Sequence, residues 1–203
     1  MDLRWKHPFS ALVSGPSGSG KTVFVLKFLK HLKEMCDTDF YEIRWHYGKY
    51  KPRNICAPVS FHQGLPELDD TDHPKLLIVD DLMRESDGRI VDLFTKECHH
   101  GNTSVFFLTQ NLFHQGRGQR DISLNAHYIV CFKNPRDRAQ IRHLALQMYP
   151  EKPLFVQEAF TDATAQPHGY LLMDLKQDTP DEYRYRANIF PTDSLNYAYV
   201  PRK

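Results

Sequence analysis

Gly15-Pro16-Ser17-Gly18-Ser19-Gly20-Lys21-Thr22 has the form G-x-x-x-x-G-K-(S/T) and stands between an apolar run over residues 9–13 and a stretch with helical periodicity. Each position has a physical task in holding a triphosphate. Gly15, Gly18 and Gly20 let the backbone curl, so that successive N–H groups, with Pro16, Ser17 and Ser19 between them, point into one concavity. The helix that follows adds the partial positive charge of its N-terminus. Lys21 is the residue expected to reach the β- and γ-phosphates, and the Thr22 hydroxyl is the expected Mg²⁺ ligand. The motif has diagnostic force only when a strand precedes it and a helix follows. Both are expected here, the strand from continuous apolarity and the helix from Val25, Leu29, Leu32 and Cys36 at helical spacing across residues 22–36.

Lys75-Leu76-Leu77-Ile78-Val79-Asp80-Asp81 is the second signal. Apolar residues followed by two acids describe a buried strand that delivers carboxylates at its C-terminal end, where open α/β sheets bind ligands. In nucleotide hydrolases the first acid, here Asp80, holds Mg²⁺, and the second, here Asp81, orients or deprotonates the attacking water. A third buried run, residues 104–109, ends in Thr109-Gln110-Asn111. Gln110 is either part of a satisfied turn or a sensor of the γ-phosphate. Arg117 and Arg120 lie in the glycine-containing stretch 114–121. They are solvated loop charges, contacts to a DNA backbone, or an arginine aimed at a neighbour's nucleotide.

The rest of the chain fills out an α/β pattern. Residues 1–8 read as an extended lead-in, 40–45 as a strand, 59–61 as a short edge piece, and 90–100 as a helix stopped by Gly101. Residues 127–132 read as the last strand of the main sheet. Asn134-Pro135 reads as a helix start, with the asparagine as cap. A helix near 153–164 precedes a strand at 169–174 and an alternating stretch at 183–189 that would pair with it as a hairpin. Residues 1–190 form one expected domain and 191–203 a flexible tail.

Lys and Arg number 26 against 25 Asp and Glu, so overall charge gives no indication of a nucleic-acid partner. No apolar run is long enough to span a bilayer and no leader pattern opens the sequence, so a soluble intracellular protein is expected. Cys36, Cys56, Cys98 and Cys131 are scattered, as befits reduced thiols. Cys98-His99-His100 does not make a metal site, because adjacent helical side chains do not converge.

An inserted strand–helix passage between the phosphate-loop strand and the acid strand is the mark of the additional-strand class of P-loop NTPases. Within that class, Gly15–Thr22, Leu76-Leu77-Ile78-Val79-Asp80-Asp81 and Phe107-Leu108-Thr109-Gln110-Asn111-Leu112-Phe113 resemble the FtsK/HerA superfamily. More narrowly, they resemble the genome-packaging ATPases of poxvirus-type large DNA viruses and Polinton/Maverick elements, as does Arg117–Asn125. The resemblance spans residues 7–190. It implies ATP and Mg²⁺ as cofactors, and a homo-oligomeric ring, commonly a hexamer, that moves double-stranded DNA. It places the protein in host cytoplasm or nucleus, or with the virion, with capsid or portal proteins as further partners. It assigns metal binding to Thr22 and Asp80, water activation to Asp81, sensing to Gln110 and the trans-acting finger to Arg120 or Arg117. Asp81 departs from the Glu usual in cellular members but matches many of the viral branch. Two other readings remain: a nucleoside or small-molecule kinase, and a domesticated nucleotide- or DNA-binding module.

Overall fold

The computed structural model describes residues 2–48, 58–67, 72–80, 82, 89–94, 102–112 and 119–202, the side chains of 119–121 excepted. Its strands are β1 (Ser10–Ser14), β2 (Glu42–Tyr47), β3 (Ser60–Gln63), β4 (Lys75–Asp80), β5 (Thr103–Thr109), β6 (Tyr128–Phe132), β7 (Tyr170–Asp174), β8 (Tyr185–Ala187) and β9 (Tyr197–Tyr199). All belong to one sheet, in the order β3-β2-β4-β5-β1-β6-β7-β8-β9. The β3-to-β6 part is parallel throughout; β7, β8 and β9 continue it antiparallel. The protein is therefore an α/β fold with a mostly parallel, open sheet.

Continuous apolarity in β1, β4, β5 and β6 follows from burial on both faces. Beneath one face lie α1 (Lys21–Lys30) and α2 (Leu32–Met35), packed through Phe24, Val25, Phe28 and Met35 onto Ala11, Val13, Ile78, Phe106 and Leu108. The opposite face carries α3 (Arg89–Asp92), α4 (Gln119–Leu124), α5 (Ala139–Met148) and α6 (Pro153–Ala163). There Ile90, Ile122, Leu144 and Val156 meet Leu12, Val79, Phe107 and Ile129. Among the described residues no helix is long and apolar enough to cross a membrane.

Several expectations are corrected. The helix expected over 22–36 breaks at His31, whose N–H is shared between the Lys27 and Phe28 carbonyls at 3.1 and 3.2 Å, a tightening that closes α1 before α2 starts. Asn134 does not cap α5. Its Oδ1 accepts from the Arg136 N–H at 3.2 Å, holding a local turn, and the helix begins at Ala139. β6 is not the last strand of the main sheet: β7 pairs with it, Val130 opposite Leu172, so the expected hairpin extends the same sheet. Within 191–203, expected as a loose tail, β9 pairs with β8. The helix expected over 90–100 begins at Arg89, and its residues 95–100 lie outside the described residues.

The lead-in is built into the core. Trp5 is buried, its backbone N–H donates to the Met35 carbonyl at 2.7 Å, and its ring stacks on Tyr128 with centroids 4.1 Å apart. Cys36 and Cys131 are buried thiols, which burial pushes up to about 11 and about 12.

Burial disfavours the charged form of His7 and His46. His7 Nδ1 and Nε2 lie 2.7 Å from Ser104 Oγ and Asn102 Oδ1, and burial lowers its pKa. His46 donates from Nδ1 to the Gly64 carbonyl at 3.1 Å, its buried Nε2 has no partner among the described residues, and burial lowers its pKa too. Each binds its proton less readily folded than unfolded. Stability is therefore expected to fall as pH drops below the unfolded value of about 6.5. The slope cannot exceed about 1.4 kcal/mol per pH unit for each histidine. Urea unfolding at pH 7.5, 6.5 and 5.5 checks this, and His46→Gln should flatten the slope.

Candidate nucleotide site

The phosphate loop leaves β1 and folds back into α1 in the expected order. The Gly15 N–H donates to the Thr109 carbonyl at 3.2 Å, extending the β1–β5 ladder one residue past the strand. A side chain at Gly15 would place a Cβ 2.7 Å from both Phe132 Cβ and Ser19 Oγ, so only glycine fits there. Gly18 and Gly20 have φ of 78° and 112°, the left-handed region in which glycine carries no steric cost. The Ser19 N–H closes the loop onto the Pro16 carbonyl at 3.1 Å, and the Phe24 N–H donates to the Gly20 carbonyl at 2.8 Å to open the helix.

Lys21 curls over the loop. Its Nζ donates to the carbonyls of Gly15 at 2.6 Å and Pro16 at 3.1 Å, which sets the ammonium on the concave side. Pro16, Ser17 and Gly18 are more open to solvent than Ser14 or Gly15, and Thr22 is half-buried in the first turn of α1. Ser19 Oγ is buried without a partner among the described residues, 2.7 Å from where a Gly15 Cβ would stand. A glycine cradle with a lysine over it fits a triphosphate. Thr22 and one carboxylate fit Mg²⁺, which keeps several waters and needs few protein ligands.

Asp80 reaches the same rim through strand register. Asp80 on β4 and Val13 on β1 both stand beside Leu108 on β5, from opposite sides. Alternation along β4 gives Asp80 the facing of Leu76 and Ile78, which belong to the core under α1. β5 thus lies in space between the phosphate-loop strand and the acid strand, and Gln110 follows immediately where it ends. Thr109 Oγ1 donates to the Asn111 carbonyl at 3.0 Å and accepts from the Asn111 N–H at 3.3 Å. That turn leaves Gln110 exposed at its apex. Asp81 and Arg117 lie outside the described residues. Arg120 is placed by its backbone in the first turn of α4. Asn125, at the far end of the resembling stretch, bonds through its carbonyl to Ser10 Oγ at 2.7 Å, at the opposite end of β1 from the loop.

Gln140 was missed in the sequence. It is buried at the start of α5, where its Oε1 accepts from the Leu112 N–H at 3.1 Å. Its Nε2 donates to Asp137 Oδ2 at 2.7 Å and Asn111 Oδ1 at 3.3 Å. It thereby fastens the segment leaving Gln110. A polar residue four positions before Leu144, on the inward side of an amphipathic helix, was the available signal. His168 was missed as well. Its Nδ1 lies 3.1 Å from the Ser19 carbonyl, against the phosphate loop.

No protein-family model matches the sequence, and no curated protein matches it. Solved structures do. One is the genome packaging NTPase B204 from Sulfolobus turreted icosahedral virus 2 in complex with ATP-gammaS, at 13% identity and TM-score 0.54, covering 96% of this chain and 97% of that one. Another is B204, the DNA-packaging ATPase from Sulfolobus Turreted Icosahedral Virus, at 11% identity and TM-score 0.54, covering 100% of both. The fold is that of a P-loop NTPase. At these identities the likeness is one of fold.

Gln140→Ala would strand the buried Leu112 N–H. It is expected to cost about 1–3 kcal/mol in urea unfolding. Gln140→Glu keeps the acceptor but sets a carboxylate against Asp137, and should recover only part of that loss.

Proposed function

We propose that this protein is an ATP-hydrolysing motor that moves double-stranded DNA, of the kind that packages viral or mobile-element genomes. The observation that carries the reading is the placement of β5 between β1 and β4, which sets Gln110 between the Gly15–Thr22 loop and Asp80 on one rim. That arrangement suits hydrolysis of the terminal phosphate. It also counts against the kinase alternative, which lacks the intervening strand. The proteins of like fold are described as a genome packaging NTPase with ATP-gammaS and as a DNA-packaging ATPase, which supports the same activity here.

In this reading the loop N–H groups and Lys21 bind the phosphate chain, Lys21 exchanging the Gly15 and Pro16 carbonyls for phosphate oxygens. Thr22 and Asp80 would hold Mg²⁺, which would supply charge neutralisation to the phosphate chain. Asp81, next along the chain, accepts a proton from the attacking water, and Gln110 orients that water or the γ-phosphate. Arg120, or Arg117, reaches the nucleotide of an adjacent subunit, so that a homo-oligomeric ring completes each site. Capsid or portal proteins are the further partners of such a ring.

The test is ATP turnover measured with and without duplex DNA. Turnover stimulated by DNA is expected; phosphate transfer to a small acceptor, or no turnover, would sink the motor. Lys21→Ala should abolish ATP binding in calorimetry, and Asp81→Asn should bind ATP without releasing phosphate. Arg120→Ala should keep binding but lose hydrolysis by about 10³–10⁵-fold in the assembled state. Unchanged turnover in that variant would transfer the role to Arg117.

A further inference from the structure

A groove of about 600 Å³ opens beside the phosphate loop, between α1 and the C-terminal end of α6, at the side away from β4 and β5. Val23 and Lys27 of α1, His168 from the turn before β7, Asn188 after β8, and Tyr197 and Tyr199 of β9 line it. Its volume is in the range of small-ligand pockets. We infer that this groove holds the nucleoside half of the bound triphosphate, and that the C-terminal antiparallel strands form the base-recognition wall. The inference rests on the nucleotide-binding reading given above.

Direction along the loop is the first reason. The γ-phosphate end is fixed by Asp80 and Gln110, on the β4–β5 side of β1. The phosphate chain then runs past Lys21 and Thr22, so the nucleoside leaves at Val23, the next residue of α1. The sheet order continues from β1 through β6 to β7, β8 and β9, and the groove stands on that side.

The second reason is the character of the walls. Val23 is 57% exposed and Tyr197 is 44% exposed, apolar and aromatic surfaces of the kind on which a base stacks. His168 has φ of 62°, and its Cβ lies 3.3 Å from where a Gly20 Cβ would stand, so the groove opens directly off the loop. Asn188, with φ of 53°, brings an amide to the same wall, a donor and acceptor for a base edge or ribose hydroxyl.

The third reason is that the walls are held in place. Tyr199 Oη donates to Asp162 Oδ2 at 2.8 Å, tying β9 to α6. Asn196 Nδ2 donates to the Asn188 carbonyl, and Lys27 Nζ lies 4.0 Å from Asp193 Oδ1 and 5.6 Å from the Phe190 ring centroid. A second cavity, of about 260 Å³ between β6, α5 and α6, touches the loop at Ser14 and Gly15, the end remote from Val23. It lies on the wrong side to receive the nucleoside.

The experiment compares binding of ATP with binding of inorganic tripolyphosphate, each with Mg²⁺, by calorimetry on the full chain. Tyr197→Ala is expected to weaken ATP about tenfold or more, the value of one lost stacking contact, and to leave tripolyphosphate unchanged. Tyr197 is partly exposed, so its removal spares the core, and Tyr197→Phe should retain wild-type affinity. Equal loss of both ligands, or loss of neither, overturns the groove assignment while leaving the phosphate-loop reading intact. A wild-type chain that binds neither ligand overturns that reading, and the inference with it.

Discussion

The hydrogen bond from the Gly15 N–H to the Thr109 carbonyl, 3.2 Å long, is the last rung of the parallel ladder between β1 and β5, and the candidate site depends on it. Beyond that rung the two chains diverge, one into the phosphate loop and the other into the turn carrying Gln110. The rung therefore fixes the distance between the Gly15–Thr22 loop and Gln110 before either side chain matters. On the other edge of β5 the ladder to β4 stops with Asp80 opposite Leu108. A slip of one residue in either ladder would turn Asp80 or Gln110 to the face covered by α5 and α6.

What keeps α1 beneath that rim is a cluster of rings. Trp5 lies 4.9 Å from Phe28 and 5.4 Å from Phe106, and Phe24 lies 4.9 Å from Tyr170. Each fully buried ring contributes roughly 1.5–3 kcal/mol by area alone. These contacts join the lead-in, the helix and both halves of the sheet. The orientation of the helix that presents Lys21 and Thr22 is thus set by residues far from it in sequence.

Local chemistry was legible in the chain and long-range order was not. The glycine–lysine loop, the buried runs of β1, β4, β5 and β6, and Pro153 at the start of α6 carry their signals within a few residues. The position of β5 between β1 and β4 depends on pairings that no local pattern states. Asn134 shows the limit at short range, since the same side chain that caps a helix also closes a turn on Arg136. Gln140 is polar and buried because its partners, Leu112 and Asn111, arrive from a distant strand. β9 has only three residues, Tyr197–Tyr199, two of them exposed, too short and too open to show alternation. For Asp81 and Arg117 the sequence motif stands alone.

The antiparallel half of the sheet has a structural reason of its own. β6 is buried along its whole length, so its outer edge needed a partner, and β7 supplies one in the opposite direction. The extension is then anchored by a buried ion pair, Arg186 Nη2 to Asp174 Oδ2 at 2.8 Å, with Arg186 Nη1 also donating to the Leu3 carbonyl at 3.1 Å. Burial raises the Asp174 carboxyl above its usual range, and Arg186, Thr179 and the Lys176 N–H oppose that shift. Such a pair is costly to desolvate and more costly to break, so its effect is to fix geometry more than to add stability. The fixed geometry carries β8 and β9 alongside α1, beyond the end of the phosphate loop. A sheet that needed covering at one edge has in this way acquired antiparallel strands that wall a groove beside the first turn of α1.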